Sequence, residues 1–251
     1  MNRARFNNIA HRDHLFANPM GEAKIDRVLR LMALKPKDMV LDVGCGNGEV
    51  LIRLIERFGV KGVGVDPDAQ QLVEARRRAA SRIPQENLDL HPFPISEVEV
   101  EESSFNAVVC IGASEACGGL VQALEAFSRI VRQGGYVLIG ESYWKRDPDP
   151  EFLAALGRSA VDIGTHTENF QRGRNLGLVP VYGCVANEDD LDHYEGLYNY
   201  TIERYIASHP EDNERRDFRQ HMRRWYESWL QWGRDSLGFG LYLFRTRDDW
   251  K

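Results

Sequence analysis

Residues 40–50 constrain the fold of this chain more than any other stretch. They read Val-Leu-Asp-Val-Gly-Cys-Gly-Asn-Gly-Glu-Val. The apolar run at 39–43 has the length of a buried strand, and Gly44, Gly46 and Gly48 follow it at alternate positions. Glycine is needed where the backbone turns tightly and a ligand comes close, and free N–H groups at a helix start suit a polar or anionic group. The stretch therefore predicts a strand, a ligand-binding glycine turn and a helix.

Three acidic residues, Asp42, Glu49 and Asp66, indicate which kind of ligand the glycine turn binds. A dinucleotide fingerprint has the spacing G-x-G-x-x-G, whereas this turn has G-x-G-x-G, with Asp42 before it and Glu49 after it. These negative charges disfavour a diphosphate and tolerate a cationic ligand such as a sulfonium with an amino-acid tail. Asp66 ends the next predicted strand, 18 residues beyond Gly48, which is close to the spacing at which an acid reaches a ribose. The pattern therefore predicts a nucleoside ligand that is not a dinucleotide.

The segments 41–48 and 63–66 resemble the first two motifs of class I S-adenosylmethionine (SAM) dependent methyltransferases. The resemblance implies an α/β, Rossmann-like fold whose mostly parallel seven-stranded sheet ends in an antiparallel strand placed beside the fifth. It also implies SAM as the cofactor. The cofactor-binding residues that it implies are Asp42, Gly44, Cys45, Gly46, Gly48, Asp66, Pro67, Phe93, Ile111 and Gly112.

One loop departs from this family's pattern. The loop after the third strand usually supplies an acid that accepts a hydrogen bond from the adenine amino group, but Phe93 and Pro94 stand there in this chain. Neither can accept that bond. We predict that the Phe93 ring stacks on the adenine instead, a contact worth about 1 kcal/mol beyond burial.

Candidate acceptor-site residues follow the fifth predicted strand, at 136–142. Glu141, Tyr143 and Trp144 lie at its carboxyl end, where α/β sheets bind ligands, although a strand-end Glu bonded to nearby backbone is an equally good interpretation of Glu141. A general base is needed only if the acceptor must lose a proton. The candidates for that role are His14, Glu141 and His166.

The chain is predicted to be a single methyltransferase domain, 1–251, with two additions. Residues 1–19 form a polar leader of the kind that is often disordered, although in this family it often folds over the cofactor. Residues 187–236 are predicted to form two helices, each with one aromatic-rich face, and to act as a lid over the acceptor site. Tyr194, Glu195 and Tyr198 are its predicted substrate-binding residues. The alternative is that these faces only extend the core.

Composition excludes several classes of protein. A net charge of −6 argues against a protein built to grip a phosphate backbone, although a local basic patch remains compatible with it. The sequence has no membrane-length apolar run and no signal-peptide core, and its 4 cysteines lack framework spacing. We predict a cytoplasmic monomer or homodimer that binds no metal, nucleic acid or membrane.

The favoured hypothesis is an enzyme that transfers a methyl group from SAM to a small molecule. The sequence contains neither an Asn-Pro-Pro-Tyr loop nor a Pro-Cys nucleophile suited to methylating nucleic acid. Two alternatives from other classes are a non-catalytic SAM-binding sensor or partner subunit and a nicotinamide-dependent oxidoreductase. The glycine spacing disfavours the latter, and the loop at 112–119 and the aromatic-rich insertion at 187–236 disfavour the former.

Overall fold

A seven-stranded sheet forms the centre of the computed structural model, which describes residues 1–97 and 100–247. The strands run in the order β3-β2-β1-β4-β5-β7-β6. Strands β1 to β5 pair in parallel, and β7 lies between β5 and β6 and is antiparallel to β6. The predicted fold class is confirmed. The strands are β1 (Met39–Val43), β2 (Lys61–Val65), β3 (Leu88–His91), β4 (Phe105–Ile111), β5 (Val131–Trp144), β6 (Val179–Val185) and β7 (Leu237–Arg245).

The chain divides into two compact units. The sheet unit comprises residues 21–141, 166–185 and the chain from 240 on. Its helices are α2 (Glu22–Leu31), α3 (Glu49–Phe58), α4 (Ala69–Ala79), α5 (Leu120–Ile130) and α7 (His166–Asn175). The helical unit comprises residues 1–20, 142–165 and 186–239. Its helices are α1 (Arg3–Ala10), α6 (Pro150–Leu156), α8 (Glu188–Ser208), α9 (Arg215–Ser228) and α10 (Arg234–Ser236), with a π-helical turn at Trp229–Gly233.

The core of the sheet unit follows from the apolar runs in its strands. Strands β1 and β4 have neighbours on both sides and bury nearly every residue, as expected of central parallel strands. Helix α3 buries Leu51, Leu54 and Ile55 and ends at Gly59, whose φ of 66° suits glycine at a helix end. These elements hold the glycine turn between β1 and α3 on rigid supports.

The leader is the first point at which the structure differs from the sequence prediction. Residues 3–10 form helix α1 rather than a disordered segment, and Phe6, Ile9 and Ala10 are buried. These side chains join a core cluster with residues of α8 and α9. The Arg5 guanidinium also bonds to Glu214 at 2.8 Å and to the Tyr205 hydroxyl at 2.6 Å. The residues that contact α1 lie about 200 positions away in the sequence. The polar composition of residues 1–19 therefore did not predict that this segment packs against them.

Two element bounds also differ from the sequence prediction. The sequence predicts one helix over residues 151–163, but the helix ends at Leu156, because Gly157 adopts a left-handed φ of 69°, and a 3₁₀ turn follows at Ala160–Asp162. Strand β5 begins at Val131, before the predicted position 136. Among the described residues, no helix combines the length and the apolar character that crossing a membrane requires.

Candidate functional site

The glycine turn after β1 has the backbone that its sequence predicts. Gly44, Gly46 and Gly48 have φ values of 70°, 51° and 73°, in the left-handed region that disfavours residues with a side chain. A Cβ on Gly44 would lie 2.3 Å from the Ala113 side chain, and one on Gly48 would lie 2.8 Å from that of Ala75. A Cβ on Gly46 would meet nothing within 4 Å. Gly46 is therefore the glycine that leaves open space for a ligand.

Asp66 lies beside this turn and is held by backbone groups. Its Oδ2 accepts a hydrogen bond from the Gly46 N–H at 2.8 Å, and its Oδ1 accepts one from the Asp68 N–H at 2.8 Å. A carboxylate offers about four acceptor positions, so these two bonds fix the group and leave acceptor positions for a ribose. Burial raises the Asp66 pKa, while the two backbone donors act in the opposite direction.

Asp42 is buried at the end of β1, with 3% of its surface exposed. Burial, followed by repulsion from Asp66, raises its pKa to about 7. A cation bound nearby would favour the ionised form, so a sulfonium ligand suits this environment and a diphosphate does not. Cys45 packs with Leu72, Ala75 and Leu90 in a small core cluster, and its backbone N–H donates to the Val65 carbonyl at 3.1 Å.

Glu49 does not act on the turn as a free negative charge. Its carboxylate bonds to Arg53 and Arg82, each at 2.7 Å, and Arg78 lies 3.7 Å away. These arginines lower the Glu49 pKa, against the effect of burial. Of the two acidic residues that flank the glycine turn, only Asp42 therefore disfavours a diphosphate by its charge. The glycine spacing points the same way.

The other predicted cofactor residues lie at, or just beyond, the carboxyl ends of β2, β3 and β4. Pro67 is exposed before α4, and Phe93 is 47% exposed. Ile111 is the last residue of β4. Gly112 follows with a φ of 76° and donates its N–H to the Gly140 carbonyl at 2.8 Å.

The loop after β4 is joined to β5 through Glu141. The buried Ser114 hydroxyl donates a short hydrogen bond to Glu141 Oε2. Burial raises the pKa of the nearby Cys117 thiol, which disfavours a thiolate nucleophile. Glu141 is thus bonded by a side-chain hydroxyl, whereas the alternative interpretation described a bond to nearby backbone, and its carboxylate lies at the strand end where it was predicted to act.

His166 is the first residue of α7 and contacts rings of the sheet unit. Its Nδ1 lies 3.1 Å from the Tyr242 hydroxyl, to which Asn169 also donates at 3.2 Å. The ring packs edge-on against Phe170 at 5.3 Å, and burial lowers its pKa. These contacts indicate a positioned, neutral histidine.

Tyr143 and Trp144 have packing roles within the helical unit. The Trp144 indole N–H donates to the Ala160 carbonyl at 2.9 Å, and its ring meets Phe152 edge-on at 6.4 Å. Tyr143 covers Gly238, where an added Cβ would lie 2.4 Å from the tyrosine ring. Trp144 is 8% exposed, so little of its surface remains for a substrate.

Four rings of the helical unit, those of His11, His14, Tyr194 and Tyr198, form what we call the ring cluster. His11 stacks on Tyr198 with centroids 4.8 Å apart and on Tyr194 at 5.8 Å, and His14 meets Tyr194 edge-on at 4.7 Å. Burial raises the pKa of both tyrosine hydroxyls. The structure thus brings together His14, a candidate general base, and Tyr194 and Tyr198, two of the predicted substrate-binding residues.

The two histidines differ in their hydrogen bonds. His14 Nε2 lies 3.0 Å from the Tyr194 carbonyl, and the Ala10 carbonyl is near enough to raise the His14 pKa, although burial lowers it overall. The Nδ1 atoms of His11 and His14 are both buried without a hydrogen-bond partner among the described residues, so the two rings differ at Nε2. Burial, followed by repulsion from His14, lowers the His11 pKa to about 4. His11 is therefore neutral, with an unused ring nitrogen.

Glu195 lies beside the ring cluster on α8 and is 7% exposed. Its Oε2 accepts a hydrogen bond from the Trp225 indole N–H at 2.7 Å. Burial raises its pKa to about 7, and the indole bond opposes that effect only in part. A carboxyl so placed changes its protonation state near neutral pH.

Sequence reasoning did not assign Ser114 or Trp225 to these sites, and it favoured a surface position for His11. No local pattern identified Ser114 or Trp225, because their partners Glu141 and Glu195 are 27 and 30 positions away.

Comparison with known proteins establishes the class. A model of the methyltransferase domain family matches residues 40–135, which include the glycine turn and Asp66. A methyltransferase from Geobacter sulfurreducens, solved with S-adenosylhomocysteine, matches 97% of this chain and 98% of its own with a TM-score of 0.89 and 26% identity. The chain belongs to the class I SAM-dependent methyltransferases, and SAM is its cofactor.

Two further relatives are informative. The Escherichia coli K12 protein YjhP, described as uncharacterized, is 28% identical over 98% of this chain and 100% of its own length. Its crystal structure matches with a TM-score of 0.88 at 26% identity, over 97% of this chain and 100% of that one. The 27-O-demethylrifamycin SV methyltransferase of Amycolatopsis mediterranei is 24% identical over 67% of this chain and 62% of its own length.

Proposed function

We propose that this SAM-dependent methyltransferase acts on an apolar small molecule that carries a hydroxyl group, and that the acceptor binds at the ring cluster. The observation that carries the proposal is the composition of that cluster. His11, His14, Tyr194 and Tyr198 offer ring faces, and the Nδ1 atoms of His11 and His14 have no hydrogen-bond partner among the described residues. Mostly apolar surfaces with a few placed polar atoms are typical of small-molecule sites.

The residues support a transfer governed by position. SAM supplies an electrophilic methyl group on a sulfonium. In our proposal Asp66 accepts hydrogen bonds from the ribose, the buried Asp42 favours the cationic end, and Gly46 admits the ligand to the turn. Neutral His11 accepts a hydrogen bond from the acceptor hydroxyl and so orients its oxygen. That oxygen forms a bond to the methyl carbon as the C–S bond of SAM breaks and S-adenosylhomocysteine leaves, and the hydroxyl proton passes along the hydrogen bond to His11 and on to solvent. Holding two reactants in line supplies much of the rate of such a reaction.

Glu195 is the second polar group that we assign to the acceptor. Its carboxyl is held by the Trp225 indole at 2.7 Å and changes its protonation state near pH 7. Below that pH it donates a hydrogen bond, and above it the carboxylate accepts one. The name of the rifamycin relative, 27-O-demethylrifamycin SV methyltransferase, indicates an oxygen of a small molecule as its acceptor. This supports the same class of acceptor here.

Transfer of isotope-labelled methyl groups tests this proposal. Purified protein is incubated with labelled SAM and a cell extract, which is then separated into a small-molecule filtrate and macromolecules. We expect label in an apolar compound of the filtrate. His11→Ala should reduce its formation about tenfold or more through loss of one placed hydrogen bond and its ring, while exposed Arg12→Ala is the neighbouring control.

Three results would contradict the proposal in whole or in part. Label confined to protein or nucleic acid would exclude a small-molecule acceptor. Binding of S-adenosylhomocysteine without transfer to any fraction would favour the alternative of a non-catalytic sensor. Full activity of His11→Ala would remove the ring cluster from the acceptor site while leaving the reaction class intact.

A further inference from the structure

A concave surface lies wholly within the helical unit, between the end of α8 and the exposed side of α9. It encloses about 680 Å³, within the range of small-molecule sites. Its apolar part is formed by Ile206, Ala207 and Pro210. Its polar part, which we call the arginine groove, is lined by Arg215, Arg216, Arg219, Gln220, Arg223, Arg224 and Glu227.

The charge of this groove is opposite to that of the chain. Helix α9 has the sequence RRDFRQHMRRWYES, with five arginines against one Asp and one Glu, whereas the whole chain carries a net charge of −6. All five arginines line the groove. Concentrating cations in one concavity makes the local potential positive and attracts anions over several ångströms.

Carboxylates compensate only part of this charge. Glu203 pairs with Arg219 at 3.1 Å and lies 3.8 Å from Arg223. Within the described part of the chain, Arg215, Arg216 and Arg224 make no ion pair at or below 4.0 Å. Glu203 therefore holds Arg219 and Arg223 in place. The guanidinium groups of Arg215, Arg216 and Arg224 keep their N–H donors for another partner.

We propose that the arginine groove binds a phosphate-bearing ligand, with its phosphate groups on Arg216 and Arg224 and its apolar part on Ile206 and Pro210. The planar guanidinium fork matches phosphate oxygens two at a time. A single concavity of this volume fits one small molecule or one lipid headgroup, and the acidic remainder of the protein repels a long nucleic acid. The inference is independent of the acceptor proposed for the methyl transfer.

The same chemistry has two sources. A soluble organic phosphate would enter the groove alone. A phospholipid would present its headgroup at a membrane surface, where Leu230, which is 55% exposed just beyond α9, would touch the apolar layer. Cationic helices with an exposed apolar residue bind such surfaces. The two sources are separated by the choice of probe.

Two probes and three variants of the full-length protein test the inference. Inorganic pyrophosphate is titrated calorimetrically, and phosphatidylcholine vesicles with and without phosphatidic acid are used in a sedimentation assay. R216Q/R224Q removes two charges from the groove, R216K/R224K keeps the charges but removes the fork, and R27Q/R30Q removes two exposed charges from α2. Binding of S-adenosylhomocysteine is measured on each variant to establish that the sheet unit is intact.

We expect saturable binding of at least one probe, weakened about tenfold or more by R216Q/R224Q because two charge-assisted contacts are lost. The Lys variant should recover part of it, and R27Q/R30Q should behave as the parent. Pyrophosphate binding assigns the groove to soluble phosphates, and binding to phosphatidic acid vesicles alone assigns it to lipid headgroups. Equal weakening by R27Q/R30Q, saturable binding of neither probe, or binding of poly(U) RNA in place of both would overturn the inference.

Discussion

At the scale of single residues, the environment of Glu195 makes the stability of the helical unit depend on pH near neutrality. Burial raises its pKa to about 7 from an ordinary 4.5. The folded chain therefore keeps a proton that the unfolded chain releases between these values. The resulting stability is fully present below pH 4.5 and is lost as the pH rises toward 7.

We predict that Glu195→Gln removes this pH dependence. Gln keeps an oxygen for the Trp225 indole bond and cannot ionise. A shift of this size corresponds to roughly 3 kcal/mol as an upper value, so the variant should gain on the parent above pH 7. Urea unfolding at several pH values measures the difference, with exposed Glu211→Gln as the control. Parallel stability curves for parent and variant would show that Glu195 ionises normally.

The Phe93 ring gives a second prediction at this scale. It is 47% exposed, so removing it should cost the fold little. If the ring stacks on the adenine, Phe93→Ala should weaken S-adenosylhomocysteine binding by about 1 kcal/mol, or fivefold. The matched control is Val73→Ala, which truncates an apolar side chain 65% exposed in the same unit. Equal affinities of the two variants would place the ring away from the cofactor.

At the scale of elements, substitutions in the glycine turn can distinguish what the fold requires from what the ligand requires. Gly46 and Gly157 both have positive φ, and an added Cβ would meet no protein atom within 4 Å at either position. We predict that each Gly→Ala substitution costs about 1–2 kcal/mol of folding free energy through backbone strain. Only Gly46→Ala should also lose cofactor affinity, about tenfold or more, because its methyl group enters the ligand's space.

Thermal unfolding and calorimetry with S-adenosylhomocysteine measure the two effects. Gly44→Ala is expected to be less stable than either variant, since its Cβ would lie 2.3 Å from the Ala113 side chain. Unchanged affinity of Gly46→Ala would mean that the ligand does not approach this part of the turn.

Elements with a strong local pattern were predicted well. Strand β1 occupies residues 39–43 as expected, because an apolar run followed by glycines permits little else. The single helix predicted at 151–163 failed at Gly157, which ends α6, since the pattern of apolar residues continued past a glycine that adopts a left-handed conformation. Packing of β7 between β5 and β6 followed from the family resemblance and not from periodicity.

The candidate site was predictable where one segment contains the whole feature. Asp66 was identified by its spacing from the turn, and its carboxylate does bond to the Gly46 N–H. The pairing of Glu195 with Trp225 required a fold in which α8 and α9 meet. Burial and pKa at such positions are set by distant partners, which a local pattern does not contain.

At the scale of the whole molecule, the helical unit is larger than the insertion predicted at 187–236. It also includes residues 1–20 and 142–165. The second half of α8 and the first half of α9 pack together with α1, through Ile202, Tyr205, Phe218, Met222 and Phe6. For these residues the alternative of core packing is correct. Tyr194 and Tyr198 are only half-buried, which leaves the first half of α8 available for the predicted lid role.

The lid therefore stays a prediction, and hydrogen exchange tests it. We expect amides of residues 188–200 to exchange faster than those of β4 in the free protein, because half-buried helix ends open locally at lower free energy than central strands. Addition of S-adenosylhomocysteine with the acceptor should slow them, since closure over a substrate excludes water. Amides of residues 215–224 are the internal control, being anchored by Phe218 and Met222. If residues 188–200 are as protected as β4 without ligand and unchanged with it, they are core and the lid prediction is wrong.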